Sequence, residues 1–322
     1  MRLLSRLTAA LVLSCSFAGI ASAQADYPNR PLKWIVPYPP GGSTDVTARV
    51  MGQWLSTRLG QQVVIENRAG GGNNIGTDMA AKSPADGYTL FLVNPANAIN
   101  ATLYPKLPFN FLEDFAPVAG IIRVPNVMTV TKNFPAKTVA EFIDYAKKNP
   151  GKVNMASSGS GTSVHLSGEM FKVATGIDMK HVPYKGAGPA TTDLIGGQVD
   201  VIFDNMPSII THIRNGSVRA LGVTTAQRSP AMPDTPSISE TVPGFEASAW
   251  FGVAVPKGTP RPIIDRLNRE VNAAFSDPDM RKKLADLGGV PMPGTPEQFW
   301  AIQKAEQEKW AKAVQASGAK VE

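Results

Sequence analysis

Val36-Pro37-Tyr38-Pro39-Pro40-Gly41-Gly42-Ser43-Thr44-Asp45 is the stretch on which the architecture turns. Leu32 to Tyr38 is a short apolar run of strand type, Pro39-Pro40-Gly41-Gly42 turns the chain, and Ser43, Thr44 and Asp45 supply the side-chain acceptors of a helix N-cap. Val46, Val50, Trp54 and Leu55 then fall on one face of a helix. The same passage recurs further on. Lys152 to Ala156 reads as a strand, Ser157-Ser158-Gly159-Ser160-Gly161-Thr162-Ser163 as a turn of small residues, and Val164, Leu166, Phe171 and Val173 keep helical spacing. Such a junction offers backbone N–H groups at the positive end of a helix dipole, a place for an anion that needs no cationic side chain. One junction in each half of the chain suggests two jaws on one anion, although each is equally readable as an ordinary βα turn.

Outward from these junctions, strand-type and helix-type segments alternate, which predicts βα units and mostly parallel sheets. Val63 to Ile65 is a strand, Ala69 to Ile75 a glycine-rich loop, and a short helix through Ala81 leads to a buried strand at Tyr88 to Val93. A second set follows Arg123-Val124-Pro125: a strand at Val127 to Thr131, a helix marked by Val139, Phe142, Ile143 and Ala146, and a strand at Lys180 to Tyr184. A helix opened by Pro189 and closed by Gly196-Gly197 precedes a strand at Val199 to Phe203. After Trp250 come a strand at Phe251 to Val255, an amphipathic helix carrying Ile264, Leu267, Val271 and Phe275, and a long helix from Pro296. The order predicts one lobe from residues 27–125 and 250–322, a second from 126–249, crossings near 125 and 249, and C-terminal helices packed on the first lobe. No internal repeat is visible.

The N-terminus carries Arg2 and Arg6, an apolar run from Leu7 to Ile20 and Ala21-Ser22-Ala23, the pattern of a secretory signal peptide over residues 1–23 cleaved after Ala23. The run is shorter and more broken than the roughly 20 apolar residues of a membrane span. Val12-Leu13-Ser14-Cys15 loosely resembles a lipidation box and is the weaker reading of this leader. Cys15 is the only cysteine, so a protein cleaved after Ala23 forms no disulfide. About 300 residues suffice for two hydrophobic cores. The formal charge of +6 falls by two when Arg2 and Arg6 leave, and the remaining cations are scattered, so no basic stripe marks a nucleic-acid partner.

Catalytic and cofactor motifs are missing or broken. His165, His181 and His212 lie 16 and 31 residues apart with no cysteine nearby, against a zinc site. The loop Gly70-Gly71-Gly72 fits neither G-x-G-x-x-G nor a P-loop, and Gly186-Ala187-Gly188 has Thr191 where a third glycine belongs, so no nucleotide cofactor is expected. Ser160 with His165 suggests a serine hydrolase, but the nucleophile elbow needs G-x-S-x-G and Ser158 stands at its first glycine.

The decamer at Val36 to Asp45, Pro84-Ala85-Asp86-Gly87-Tyr88-Thr89-Leu90, Ser158-Gly159-Ser160-Gly161-Thr162 with His165-Leu166, and His181-Val182-Pro183-Tyr184-Lys185-Gly186 together resemble the Bug family, the periplasmic receptors of tripartite tricarboxylate transporters. The resemblance runs in order from about residue 27 to the C-terminus. It implies an α/β, type II periplasmic-binding-protein fold of two βα sheet lobes joined by two crossing segments, with a ligand enclosed between them. It also implies a small carboxylate held by backbone amides, hydroxyls and water, delivered to integral-membrane transporter subunits by a periplasmic protein without catalysis, metal or cofactor; a monomer is expected. The ligand contacts it implies are Tyr38, Gly41, Gly42 and Ser43 with Asn94, Ala96 and Asn97 from the first lobe, and Ser158, Gly159, Thr162 and Ser163 with Asp204 and Asn205 from the second. Asp45 is read as a stabiliser of its own helix start that also orients a water. Asp204 is read either as the receiver of an amino or hydroxyl group or as a capping residue. The competing readings are the hydrolase at Ser160 and His165, and a receptor reporting the same ligand to a signalling partner. The residues leave the particular carboxylate open.

Overall fold

The computed structural model describes residues 27–321. The leader expected over residues 1–23, with Cys15, lies outside the described residues. The first sheet opens with β1 (Leu32–Val36), α1 (Ser43–Leu59), β2 (Val63–Asn67), α2 (Asn74–Ala81), β3 (Thr89–Val93) and α3 (Pro95–Leu103). Then comes β4 (Phe115–Thr131), the strand shared by both sheets. The second sheet is built from α4 (Val139–Lys148), β5 (Val153–Ser157), α5 (Ser163–Thr175), β6 (Met179–Pro183), α6 (Ala187–Ile195), β7 (Val201–Asn205), α7 (Met206–Arg214) and β8 (Val218–Val223). The chain returns through β9 (Ser248–Pro256) and ends with α8 (Arg261–Ala273), α9 (Pro278–Asp286), β10 (Val290–Pro291) and α10 (Pro296–Ser317).

In the first sheet β1 pairs in parallel with β2 and β3, and β9 inserts antiparallel between β3 and β4. The strand order is β2-β1-β3-β9-β4. In the second, β5 lies parallel to β6 and β7, while β4 runs antiparallel to β7 and β8. Side chains alternate between the faces of a strand, so Trp34 enters one core with Met51, Leu55 and Phe251, and its neighbour Ile35 enters another with Phe91, Trp250 and Trp310. All five residues of β3 are buried, as a strand covered by helices on both faces requires. The second sheet divides likewise: Met155 and Phe203 on one side, Ala156 and Ile202 on the other.

Two features differ from the sequence reading. The strand expected from Val127 begins at Phe115 and runs through Pro117 and Pro125, residues that lack the N–H a ladder uses. The ladder with β9 shifts register between Pro117 and Ala119, and Pro125 lies where β4 leaves β9 for β7 and β8. The C-terminal helix, expected on the first lobe, packs on α3 and β4 and also reaches α5 of the second, so that Leu166 shares a core with Phe299 and Trp310.

At the crossing, Thr224 ties the outgoing chain to the returning one. Its hydroxyl accepts from Asn126 N at 2.9 Å and lies 2.6 Å from Ala247 O, while its own N–H donates to Asn126 O at 2.9 Å. Thr224 and Asn126 are fully buried, so these groups have no water to replace a lost partner. Thr224→Val keeps the shape and deletes the hydroxyl; it should destabilise the protein by about 1–3 kcal/mol, the cost of leaving a buried donor or acceptor unmade. Urea denaturation should show that loss, and Thr224→Ser should restore most of it.

Candidate ligand-binding cleft

Five helices begin where the two sheets face each other. Lining the space are Tyr38, Pro39 and the α1 start at Gly42, Ser43 and Thr44, together with Asn94 and Pro95 of α3 and Phe251 of β9. Opposite stand Ser158, the α5 start at Thr162 and Ser163, Ala187 of α6, and Asp204 and Asn205 at the start of α7. The lobes touch. Ser43 Oγ donates to Ser208 Oγ at 3.1 Å, and a Cβ placed on Gly42 would sit 3.7 Å from the Ala187 Cβ. Between them remains about 30 Å³ for the centres of water molecules, room for about two waters, so a solute of several carbons enters only as the lobes part. A larger cavity of about 510 Å³ adjoins it, sharing Tyr38, Pro39 and Ser158 and bounded by the Ala69 to Asn73 loop and Lys185.

Each loop is held from behind. Asp45 lies beneath the first: its Oδ2 accepts from Gly41 N at 3.0 Å and Arg49 Nε at 2.9 Å, and its Oδ1 from Asn67 Nδ2 at 3.0 Å. Asn67 also donates to Tyr38 O at 2.9 Å, which fixes both ends of the turn. Burial would raise the Asp45 carboxyl, but these donors together hold it below the usual carboxylate range. Asn94 accepts from Ala96 N at 3.1 Å, Asn97 Oδ1 accepts from Asn94 N at 3.0 Å, and Asn97 Nδ2 donates to Thr77 Oγ1 at 3.0 Å. Asn94 therefore borders the cleft, while Gly41, Asp45, Ala96 and Asn97 support it from outside its lining.

In the second lobe Thr162 caps α5, accepting from His165 N at 3.2 Å and donating to Gly159 O at 2.8 Å. Gly159 and Gly161 hold φ of +123° and +81°, a region other residues rarely enter. Gly159 borders the larger cavity rather than the cleft. Asn205 Nδ2 bridges Asn126 Oδ1 at 2.9 Å and Ser163 Oγ at 3.1 Å, linking the crossing to the α5 start. Burial raises the Asp204 carboxyl to about 6, partly offset by the Ser208 hydroxyl and the Asn205 amide. Phe251, Pro39, Thr44, Pro95 and Ala187 complete the lining and were not among the expected ligand contacts, although Pro39 and Thr44 belong to the first junction motif. Apolar or small walls carry no binding motif, and only the strand-to-helix position of Thr44 and Pro95 could have marked them.

Below the second loop the imidazoles of His165 and His181 stack at 3.9 Å between centroids and 16° between planes. His165 Nδ1 accepts from Gly161 N at 3.3 Å. His181 Nε2 lies 2.7 Å from Ser157 Oγ, but that hydroxyl is fully buried and also accepts from Gly159 N, leaving no approach for a substrate carbonyl. Burial, with His181 and Lys172 adding, lowers His165 to about 3, and burial with Lys172 lowers His181 to about 4. Both rings are neutral at pH 7. Among the described residues no group of three or more His, Cys, Asp or Glu could hold a metal.

Two βα lobes, crossed twice and closed on a cleft lined by helix starts, define a two-lobe solute-binding protein. Residues 47–319 match the model of the tripartite tricarboxylate transporter family receptor, and the chain belongs to that family, whose Bug members it resembles. It is 42% identical to Protein BugT of Bordetella pertussis over 323 residues, covering 99% of each chain. Rpa4515 of R. palustris, solved with adipate, shares 38% identity at a TM-score of 0.90, covering 92% of this chain and all of that one. MatC (Rpa3494) of Rhodopseudomonas palustris, solved with bound malate, shares 32% identity at a TM-score of 0.85, covering 89% of this chain and all of that one. The family is one of solute-binding receptors, and the chain is not an enzyme.

Two outcomes follow from this geometry. Gly42 has φ −82°, so Gly42→Val adds no backbone strain, yet its methyls would meet Ala187 and wedge the lobes apart. Carboxylate binding should fall at least about a hundredfold, the equivalent of ~2.7 kcal/mol, with urea stability within about 1 kcal/mol of wild type. The second concerns acid. A depressed histidine pKa contributes stability above the unfolded value, about 6.5, which is lost as pH falls towards the folded value. Asp204, raised to about 6, acts in the opposite sense between about pH 6 and 4, but two histidines with larger shifts outweigh it. Urea unfolding at pH 6.5 and 4.5 should show a loss on the order of a few kcal/mol, and the His165→Gln, His181→Gln double variant a clearly smaller one.

Proposed function

We propose that the mature protein begins at Gln24, acts as a monomer in the periplasm, and closes residues 27–125 with 250–322 on residues 126–249 around a small carboxylate. It then delivers that carboxylate to the membrane subunits of a tripartite tricarboxylate transporter. Tyr38, Gly42, Ser43, Asn94, Ser158, Thr162, Ser163, Asp204 and Asn205 are the proposed contacts; Gly41, Asp45, Ala96, Asn97 and Gly159 hold the loops that carry them.

One observation carries the reading. The N-caps of α1, α6 and α7 are Gly42, Gly186 and Asn205, and none of the three makes a side-chain capping bond. The first amides of a helix have no partner inside it, so each start leaves donors for a ligand. Open N-caps also occur at α2 and α8; the cleft is distinguished by three meeting there with no Lys, Arg or His in the lining. An anion suits that arrangement, and Rpa4515 with adipate and MatC with malate are relatives that hold one.

Thermal denaturation against a panel of small carboxylates, after unfolding and refolding to strip co-purified ligand, tests the reading. A ligand at 100 times its Kd adds about 2.7 kcal/mol, a Tm rise of roughly 2–4 °C or somewhat less for this size. The acids should produce it and their methyl esters should not, and it should change little with added salt because enclosed interactions are poorly screened. Equal shifts from neutral esters, or none from any acid, would overturn the carboxylate clamp.

A further inference from the structure

The cleft holds a buried acid and, among its lining residues, no base. Asp204 is 1% exposed. Its oxygens accept from uncharged donors alone, Asn205 N on Oδ1 at 2.8 Å and Ser208 Oγ on Oδ2 at 2.7 Å. The charged and titratable side chains on the elements packed around β7 are committed elsewhere. Across the cleft, Asp45 binds Arg49 and Asn67; on α5, His165 accepts from Gly161 N and Glu169 pairs with Lys172; on α6, Asp193 accepts from the Tyr184 hydroxyl. His212 and Arg214 of α7 lie in its last turn, beyond Ser208. The adjacent strands β4 and β5 add no charged residue over 126–130 or 153–157.

A carboxylate drawn into this space meets Asp204 with little water between. Two carboxyl groups sharing a dry site retain one proton between them. Among the described residues no Lys, Arg or His lines the cleft itself, and Lys185 borders only the adjoining cavity.

Resting on the carboxylate-clamp reading above, we propose that Asp204 is a specificity-determining ligand contact that acts as a carboxylic acid, so that each carboxylate enters the cleft together with one proton. The proton comes from solvent and forms the Asp204 O–H; no other bond changes. A neutral carboxyl adds an O–H donor to the free amides of the helix starts, and its remaining lone pairs still accept from Asn205 and Ser208. Ligands with an oxygen acceptor at that point are favoured. An ammonium group there would instead keep Asp204 ionised and bring no proton. Burial has already raised Asp204 to about 6, while His165 and His181, at about 3 and 4, stay neutral above pH 6 and cannot supply the effect.

The test is titration calorimetry with adipate, malate, aspartate and the acid giving the largest thermal shift, at pH 6, 7 and 8, each in two buffers of different ionisation heat. Small carboxylic acids ionise near pH 4–5, about where Asp and Glu do, so the ligands themselves hardly titrate across this range. Wild type should take up close to one proton per bound acid at pH 8, with Kd rising about tenfold or more from pH 6 to pH 8. In Asp204→Asn the uptake should vanish and Kd should vary less than about twofold. Wild-type binding without proton uptake, uptake that persists in Asp204→Asn, or tighter binding of aspartate than malate with no uptake would each overturn the proposal while leaving the clamp intact. If no acid binds at pH 6, the clamp reading falls and this inference with it.

Discussion

A single strand belongs to both lobes, and the rest of the molecule is arranged around that fact. From Phe115 to Pro125 β4 is bonded to β9, and from Asn126 to Thr131 to β7 and β8. The neighbours of β4 change at residues 124–126, the point at which the strand passes from one sheet to the other. There the buried Thr224 hydroxyl joins β4 to the return segment at Ala247. Asn126 extends the same network to Asn205, and Asn205 reaches Ser163 at the start of α5. The crossing is thus bonded to the second jaw, so the proposed ligand loops are tied directly to the strand that both sheets share.

The C-terminal helix ties the lobes together from another side. Phe299 and Trp310 of α10 share a core with Ile35 and Phe91 of the first sheet and with Leu166 of the second lobe. Arg123 pairs with Glu306 at 2.9 Å, and Lys309 reaches Glu246 at 2.6 Å. Opening the cleft therefore has to slide α5 along α10 or carry α10 with it. Close-packed interiors resist partial separation, which favours a small set of discrete lobe positions over a continuous range.

The two jaws were legible in the sequence because their chemistry is local. A strand passing through Gly, Pro and Ser into a helix is written in adjacent residues, and Asp45 is four residues from the Gly41 amide it holds. Elements set by distant partners were harder to read. Pro117 and Pro125 interrupt the strand pattern of β4, and only its register with β9 shows how each is accommodated. Helix α3 carries Asn97 and Asn100 at buried positions where periodicity expects apolar residues; its asparagines bond to Thr77, Asn74 and the Gly72 carbonyl instead. Phe251 and Ala187 line the cleft by position alone. The stacking of His165 on His181 joins residues 16 apart whose mutual contact no spacing rule had suggested.

That histidine stack bears on the proposed use of helix dipoles at the site. Protonated imidazoles below the Ser157 to Ser163 loop would attract an anion, but burying their charge would cost the fold several kcal/mol unless it were paired. The structure keeps both rings neutral and uses Nδ1 of one and Nε2 of the other to hold Gly161 N and Ser157 Oγ, so the pair shapes the loop without charging it. A fixed cation would hold an anion in the open form nearly as well as in the closed one. In the proposed clamp, helix starts on opposite lobes meet across the cleft, which ties the attraction to the arrangement in which the lobes touch. Affinity in such a cleft is tied to lobe position, and that coupling lets a receptor present one shape when loaded and another when empty.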